Sequence, residues 1–145
     1  MEQRISLITL GVRDLEGAAA FYEALGWVRT EGPGGVIAFD LLGQTLGLFG
    51  LDALAEDIGL PVDELGRGAL TLAHNLRSKA EVDALMSRAE AVGARILKVP
   101  QEVFWGGYHG YFADPDGHIW EIAYNPFSPL RAGDGAFRWQ GYGEG

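Results

Sequence analysis

Apolar and polar positions along the chain fall into two alternating regimes, and the regimes come in the same order twice. Residues 4–12 are rich in apolar and β-branched types and predict a strand. Asp14 stands where a helix N-cap belongs, and Ala18, Phe21, Tyr22 and Leu25 then recur at the spacing of one helical face. Gly26 supplies a left-handed stop. Trp27–Glu31 predicts a second strand, Gly32-Pro33-Gly34-Gly35 a turn, Val36–Leu41 a third strand, and Gln44–Phe49, after a turn at Gly43, a fourth.

Residues 51–68 break the pattern with acids, a proline and glycines, and read as a linker carrying a helical turn from Asp52 to Ile58. The pattern then restarts with a strand at Ala69–His74. Ser78-Lys79-Ala80-Glu81 has the form of a capping box, and Val82, Leu85, Met86 and Ala89 carry the next helical stripe up to Gly93. A strand from Arg95 to Lys98, extended past Pro100 towards Phe104, precedes a hairpin of Tyr108–Ala113 and His118–Tyr124 around Asp114-Pro115-Asp116-Gly117. Residues 126–145 hold two prolines and five glycines and predict an irregular tail.

The order is βαβββ, linker, βαβββ. Module 1 spans about 4–50 and module 2 about 69–125. Ile8-Thr9-Leu10 matches Leu70-Thr71-Leu72, an offset of 71 − 9 = 62 residues, and a repeat at such a spacing outweighs any single local reading. A βαβββ module leaves one sheet face bare, so the expected fold is α+β: two tandem modules forming one curved, mostly antiparallel sheet around a concave cavity fit for a ligand.

Composition narrows the chemistry. At 145 residues the chain makes one domain, or two small halves sharing a core. With no cysteine it forms no disulfide, thiolate metal site or thiol nucleophile. A net charge of −9 repels phosphate backbones and anionic lipid, which argues against nucleic-acid and membrane partners. No 18-residue apolar stretch or signal-like N-terminus is visible, so the expected location is cytoplasmic.

Two strings carry a family resemblance. Ile8-Thr9-Leu10-Gly11-Val12-Arg13-Asp14-Leu15 with Phe21-Tyr22 and Leu25-Gly26 resembles the first strand and helix of the vicinal-oxygen-chelate superfamily, which includes glyoxalases, bleomycin-resistance proteins and extradiol dioxygenases. The string from Gly110 to Ile122 resembles that superfamily's last hairpin. In its metalloenzymes four inward side chains hold one divalent ion. The resemblance carries those places to Leu7, Gly47, Ala69 and Glu121, and only Glu121 has a ligating side chain. A catalytic metal site needs about three protein ligands. Ser6, Thr9, Thr45 and Thr71, the neighbouring hydroxyls, are poor donors for such ions. The expectation is therefore no metal and no cofactor.

Glu121 alternates with Trp120 and Ile122, so it points away from the helix if they point towards it. It is the expected catalytic group if the protein is an enzyme, acting as general base. Thr9, Thr45, Thr71, Trp105, Tyr108 and Glu121 form the expected ligand-binding set, the aromatics offering a rim that stacks on a flat ligand. His74 is expected to face the helix, and His109 and His118 to lie at the surface. The leading reading is a metal-independent binder of an unidentified small molecule, acting as a homodimer as relatives often do. A lyase, isomerase or dioxygenase-related enzyme using Glu121 as base or metal ligand is the alternative.

Overall fold

A computed structural model describes residues 1–30, 34–66 and 69–142. The chain divides into two compact units, Met1–Ala69 and Leu70–Gly145.

The first unit holds β1 (Leu7–Val12), α1 (Leu15–Ala24), β2 (Ile37–Asp40), β3 (Thr45–Gly50) and α2 (Leu51–Ile58). Its sheet runs β1-β3-β2, with β1 parallel and β2 antiparallel to β3. Leu10, Val12, Leu46, Leu48 and Phe39 are buried on the face that carries α1, where Ala18, Ala19, Phe21 and Tyr22 supply the facing layer. Asp14 caps α1 as expected, its Oδ1 accepting from the Gly17 amide at 3.0 Å.

The strand expected at Trp27–Glu31 is reduced, among the described residues, to a single bridge between Thr30 and Ala38; Glu31, with Gly32 and Pro33 of the expected turn, lies outside them. The reason is visible in the side chains. Trp27 stacks on Tyr22 with centroids 5.3 Å apart and leans on Phe39 at 5.6 Å, while its amide donates to the Tyr22 carbonyl. Arg29 turns back to ion pairs with Glu23 and Glu16 on the helix. The segment is thus held by α1 instead of by a ladder. The helical turn expected in the linker is a two-turn helix, ended by Gly59 at φ 86°, and a short 3-10 turn follows at Val62–Glu64.

The second unit holds β4 (Leu72–Leu76), α3 (Lys79–Ala91), β5 (Arg95–Glu102), β6 (Tyr108–Ala113) and β7 (Ile119–Tyr124), with sheet order β4-β7-β6-β5. Only the β4–β7 pair is parallel. Val82, Met86 and Ala89 of α3 pack on the face that buries Phe112, Trp120 and Ile122. Ser78 caps α3 by accepting from the Glu81 amide at 3.2 Å, and the Glu81 carboxylate accepts at 2.8 Å from the amide of Arg77, the residue before the cap, so the first limb of the box forms and the return bond is shifted by one residue.

β4 begins at Leu72, not Ala69, and this corrects the repeat. Strand ends give 76 − 12 = 64, and helix caps give 78 − 14 = 64. The Thr9/Thr71 likeness that set the offset at 62 is a local coincidence, two residues out of phase with the structure. Two residues is one period of a strand, so the inward and outward faces are unchanged. Among the described residues no helix is long and apolar enough to cross a membrane.

Candidate functional site

The hairpin of β6 and β7 builds the most chemically equipped surface of the second unit. Its turn is set by Asp114, whose Oδ1 accepts from the amides of Asp116 at 2.9 Å and His118 at 2.8 Å. That turn fixes Ala113 opposite Ile119 and hence Tyr111 opposite Glu121 and His109 opposite Ala123. Residues opposite one another share a face. Phe112, Gly110, Trp120 and Ile122 therefore look towards α3, and His109, Tyr111 and Glu121 look the other way. Glu121 stands on the face expected of it.

Tyr111 donates its hydroxyl hydrogen bond to Glu121 Oε2. The His109 Nδ1 lies 3.8 Å from the same oxygen, and the His109 and Tyr111 rings meet edge to face at 5.1 Å. The His109 Nε2 is buried with no hydrogen-bond partner among the described residues. A buried polar atom left in that state costs about 1–3 kcal/mol. The bond to Glu121 pushes the Tyr111 phenol up to about 12, because ionising it would lose the bond and set two negative charges side by side. Tyr111 thus remains a neutral donor at physiological pH. One carboxylate oxygen is occupied, while Oε1 has no protein partner among the described residues.

The other expected site residues are spread over several surfaces. Thr9 and Thr45 lie on the face of the first sheet opposite α1, in register with Gly47 and Leu7 respectively. The Thr45 hydroxyl donates to Asp40 at 2.8 Å. Thr71 stands exposed immediately before β4, two residues from Ala73, the partner of Glu121. Trp105 lies in the turn between β5 and β6 with its ring folded over Gly107. Tyr108 is on the α3 side of the sheet, its hydroxyl bonded to Asp83, and so on the face opposite Glu121. His74, in register with Ile122, shares the α3 face as expected.

The corrected offset moves one of the four family metal places. Leu7 corresponds to 7 + 64 = 71, so the second unit's early-strand place is Thr71 and not Ala69, which is an exposed bend residue. Gly47 and Glu121 correspond through their partners Thr9 and Ala73, since 9 + 64 = 73. A Cβ at Gly47 would meet Leu7 at 3.4 Å, Val36 at 3.3 Å and the Thr9 hydroxyl at 3.6 Å. The surroundings of Gly47 on that face of the first sheet are therefore mostly hydrocarbon. Among the described residues no three His, Asp or Glu side chains gather as a metal ion requires.

His109 and Tyr111 were absent from the expected set. Both were legible: a turn that pairs 113 with 119 also pairs 111 with 121, since 113 + 119 = 111 + 121. His109 follows by alternation.

The sheet orders, the paired modules and the hairpin define the class of protein. The chain belongs to the glyoxalase/bleomycin resistance protein/dioxygenase superfamily, whose family model matches residues 4–122. A glyoxalase-related enzyme from Fulvimarina pelagi is 39% identical, over 95% of this chain and 99% of its own, with a TM-score of 0.85. A glyoxalase/bleomycin resistance protein/dioxygenase from Nocardioides is 25% identical, over 94% of this chain and 89% of its own, with a TM-score of 0.72. A lactoylglutathione lyase from Agrobacterium tumefaciens is 25% identical, over 86% of this chain and 96% of its own, with a TM-score of 0.63. No curated protein matches the chain.

Proposed function

We propose that the protein binds a small organic molecule without a metal ion, with Glu121 as the polar anchor. The observation that carries this reading is the hydrogen bond from Tyr111 to Glu121. It ties one carboxylate oxygen to a neutral protein donor and leaves the other for a ligand. The donor set does not fit a divalent ion. Leu7 and Gly47 offer no lone pair, Thr71 only a hydroxyl, and Oε2 of Glu121 is already engaged. A ligand with a cationic or N–H donor group next to a flat ring suits the free oxygen, the Tyr111 and His109 rings, and a net charge of −9. The hydroxyl of Thr71 and the ring of Trp105 belong to the same proposal as secondary contacts; Tyr108 faces α3 and is bonded to Asp83, and Thr9 and Thr45 belong to the other unit, Thr45 bonded to Asp40.

The test is a titration of chelator-treated protein with a panel of cationic aromatic compounds, followed by tryptophan fluorescence and calorimetry. Saturable binding by the wild type that weakens at least tenfold in Glu121→Gln supports the proposal. Equal binding by both forms contradicts it. A second reading has support in the 39% identity to a glyoxalase-related enzyme: the same carboxylate serves as general base in a lyase or isomerase. That reading requires turnover whose pH–rate inflection disappears in Glu121→Gln.

A further inference from the structure

β5 is an edge strand of the second sheet, and its pairing with β6 is interrupted beside Tyr111. Arg95 pairs with Ala113 and Ile96 with Phe112, but the next pair is Lys98 with Tyr111. Uninterrupted pairing would set Leu97 opposite Tyr111 and turn Lys98 to the α3 face, opposite Gly110. One extra residue in β5 instead brings Lys98 into register with Tyr111, and a second brings Gln101 into register with His109. A bulge of this kind takes a residue out of the ladder and re-aims the side chains around it. In β5 the side chain re-aimed is a cation.

The face away from α3 therefore carries charge of both signs. Its strand residues include one acid, Glu121 on β7, and two bases, Arg95 and Lys98 on β5, with Tyr111 and His109 on the strand between. Both bases are exposed, and neither has an ion pair or a side-chain hydrogen bond among the described residues. The acid of β5 does not neutralise them: Glu102 is on the α3 face, opposite Tyr108, and is paired with Lys79. Neighbouring strands lie about 4.7–4.9 Å apart, so Glu121 and Lys98 stand about 9–10 Å from each other at the backbone, with Tyr111 between them.

We propose that the ligand of this face is a zwitterion, whose cationic group meets the free oxygen of Glu121 and whose carboxylate meets Lys98. The inference rests on Glu121 as the polar anchor and adds the second end of the ligand. The flat part of the molecule lies across Tyr111, and Arg95 adds to the positive field at the β5 end. In a chain of net charge −9 the field of the whole molecule opposes a carboxylate, so a local pair of unneutralised bases is needed to accept one.

Calorimetric titration of the full chain with benzylamine and with para-(aminomethyl)benzoate, which differ by a carboxylate at the far end of the ring, tests this. The wild type is expected to bind the carboxylate compound about threefold tighter or more, with a preference that shrinks as salt rises. Lys98→Met, which keeps the apolar stem at an exposed position, should abolish the preference, and Lys98→Glu should reverse it. Glu121→Gln should weaken both compounds. Equal binding of the two by the wild type, with loss of both in Glu121→Gln, overturns the zwitterion and leaves the anchor standing. A preference that survives Lys98→Met overturns Lys98 as its source. Binding of neither compound, or of both undiminished in Glu121→Gln, overturns the anchor and this inference together.

Discussion

At the scale of single residues, the chemistry of the second unit turns on one proton. Tyr111 holds it against Glu121, which makes Tyr111 the tyrosine whose ionisation is pushed up to about 12. In an alkaline titration followed by tyrosinate absorbance, one of the five tyrosines is expected to ionise near that value. That step should vanish in Tyr111→Phe and fall towards 10 in Glu121→Gln. The sign for stability follows. A raised folded pKa means that the contribution is complete below the ordinary value of about 10 and is lost as pH climbs through about 12. Glu121 could be read from the sequence because it breaks a run of apolar residues. Tyr111 could not be singled out so easily, since an aromatic on a strand is ordinarily core. Only the register across Asp114-Pro115-Asp116-Gly117 gives it a polar partner.

At the scale of elements, the helices were the most legible and the edge segments the least. α1 and α3 each declare themselves through a cap, a stripe and a terminal glycine, and all three signals are local. Removing a cap should cost about 1 kcal/mol, so Asp14→Ala and Ser78→Ala are each expected to lower the unfolding free energy by that amount in denaturant titration. Trp27–Glu31 has the composition of a strand, but composition does not report that Trp27 has a better place against Tyr22 and Phe39. β5 shows the same limit. It shifts register between Ile96 and Lys98 and again before Gln101, and the pattern of apolar residues does not announce either shift. The neighbouring strand accommodates them at Gly110, where a Cβ would stand 2.9 Å from the Lys98 carbonyl oxygen and 3.0 Å from the Pro100 nitrogen. Both obstacles are backbone. Gly110→Ala is therefore expected to destabilise by about 1–3 kcal/mol, read as a lower melting temperature.

At the scale of the whole molecule, the repeat was visible in the sequence and its phase was not. Thr9 and Thr71 look equivalent in the amino-acid string, whereas the caps Asp14 and Ser78 are the equivalent pair in the structure. The two-residue slip preserved the faces and therefore Glu121's orientation, but it misassigned Ala69 to a place that Thr71 holds. Core truncation in either unit should register in global stability. Leu48→Ala and Ile122→Ala remove fully buried side chains and are expected to cost about 2–5 kcal/mol each by denaturant unfolding.

The side chains at the family's four places set the expected metal content. Protein purified without chelators, then analysed for zinc, nickel, manganese and iron, is expected to hold far less than one ion per chain, and Glu121→Gln is expected to leave that content unchanged. One equivalent of any of these ions, lost when Glu121 is replaced, would contradict a metal-independent site.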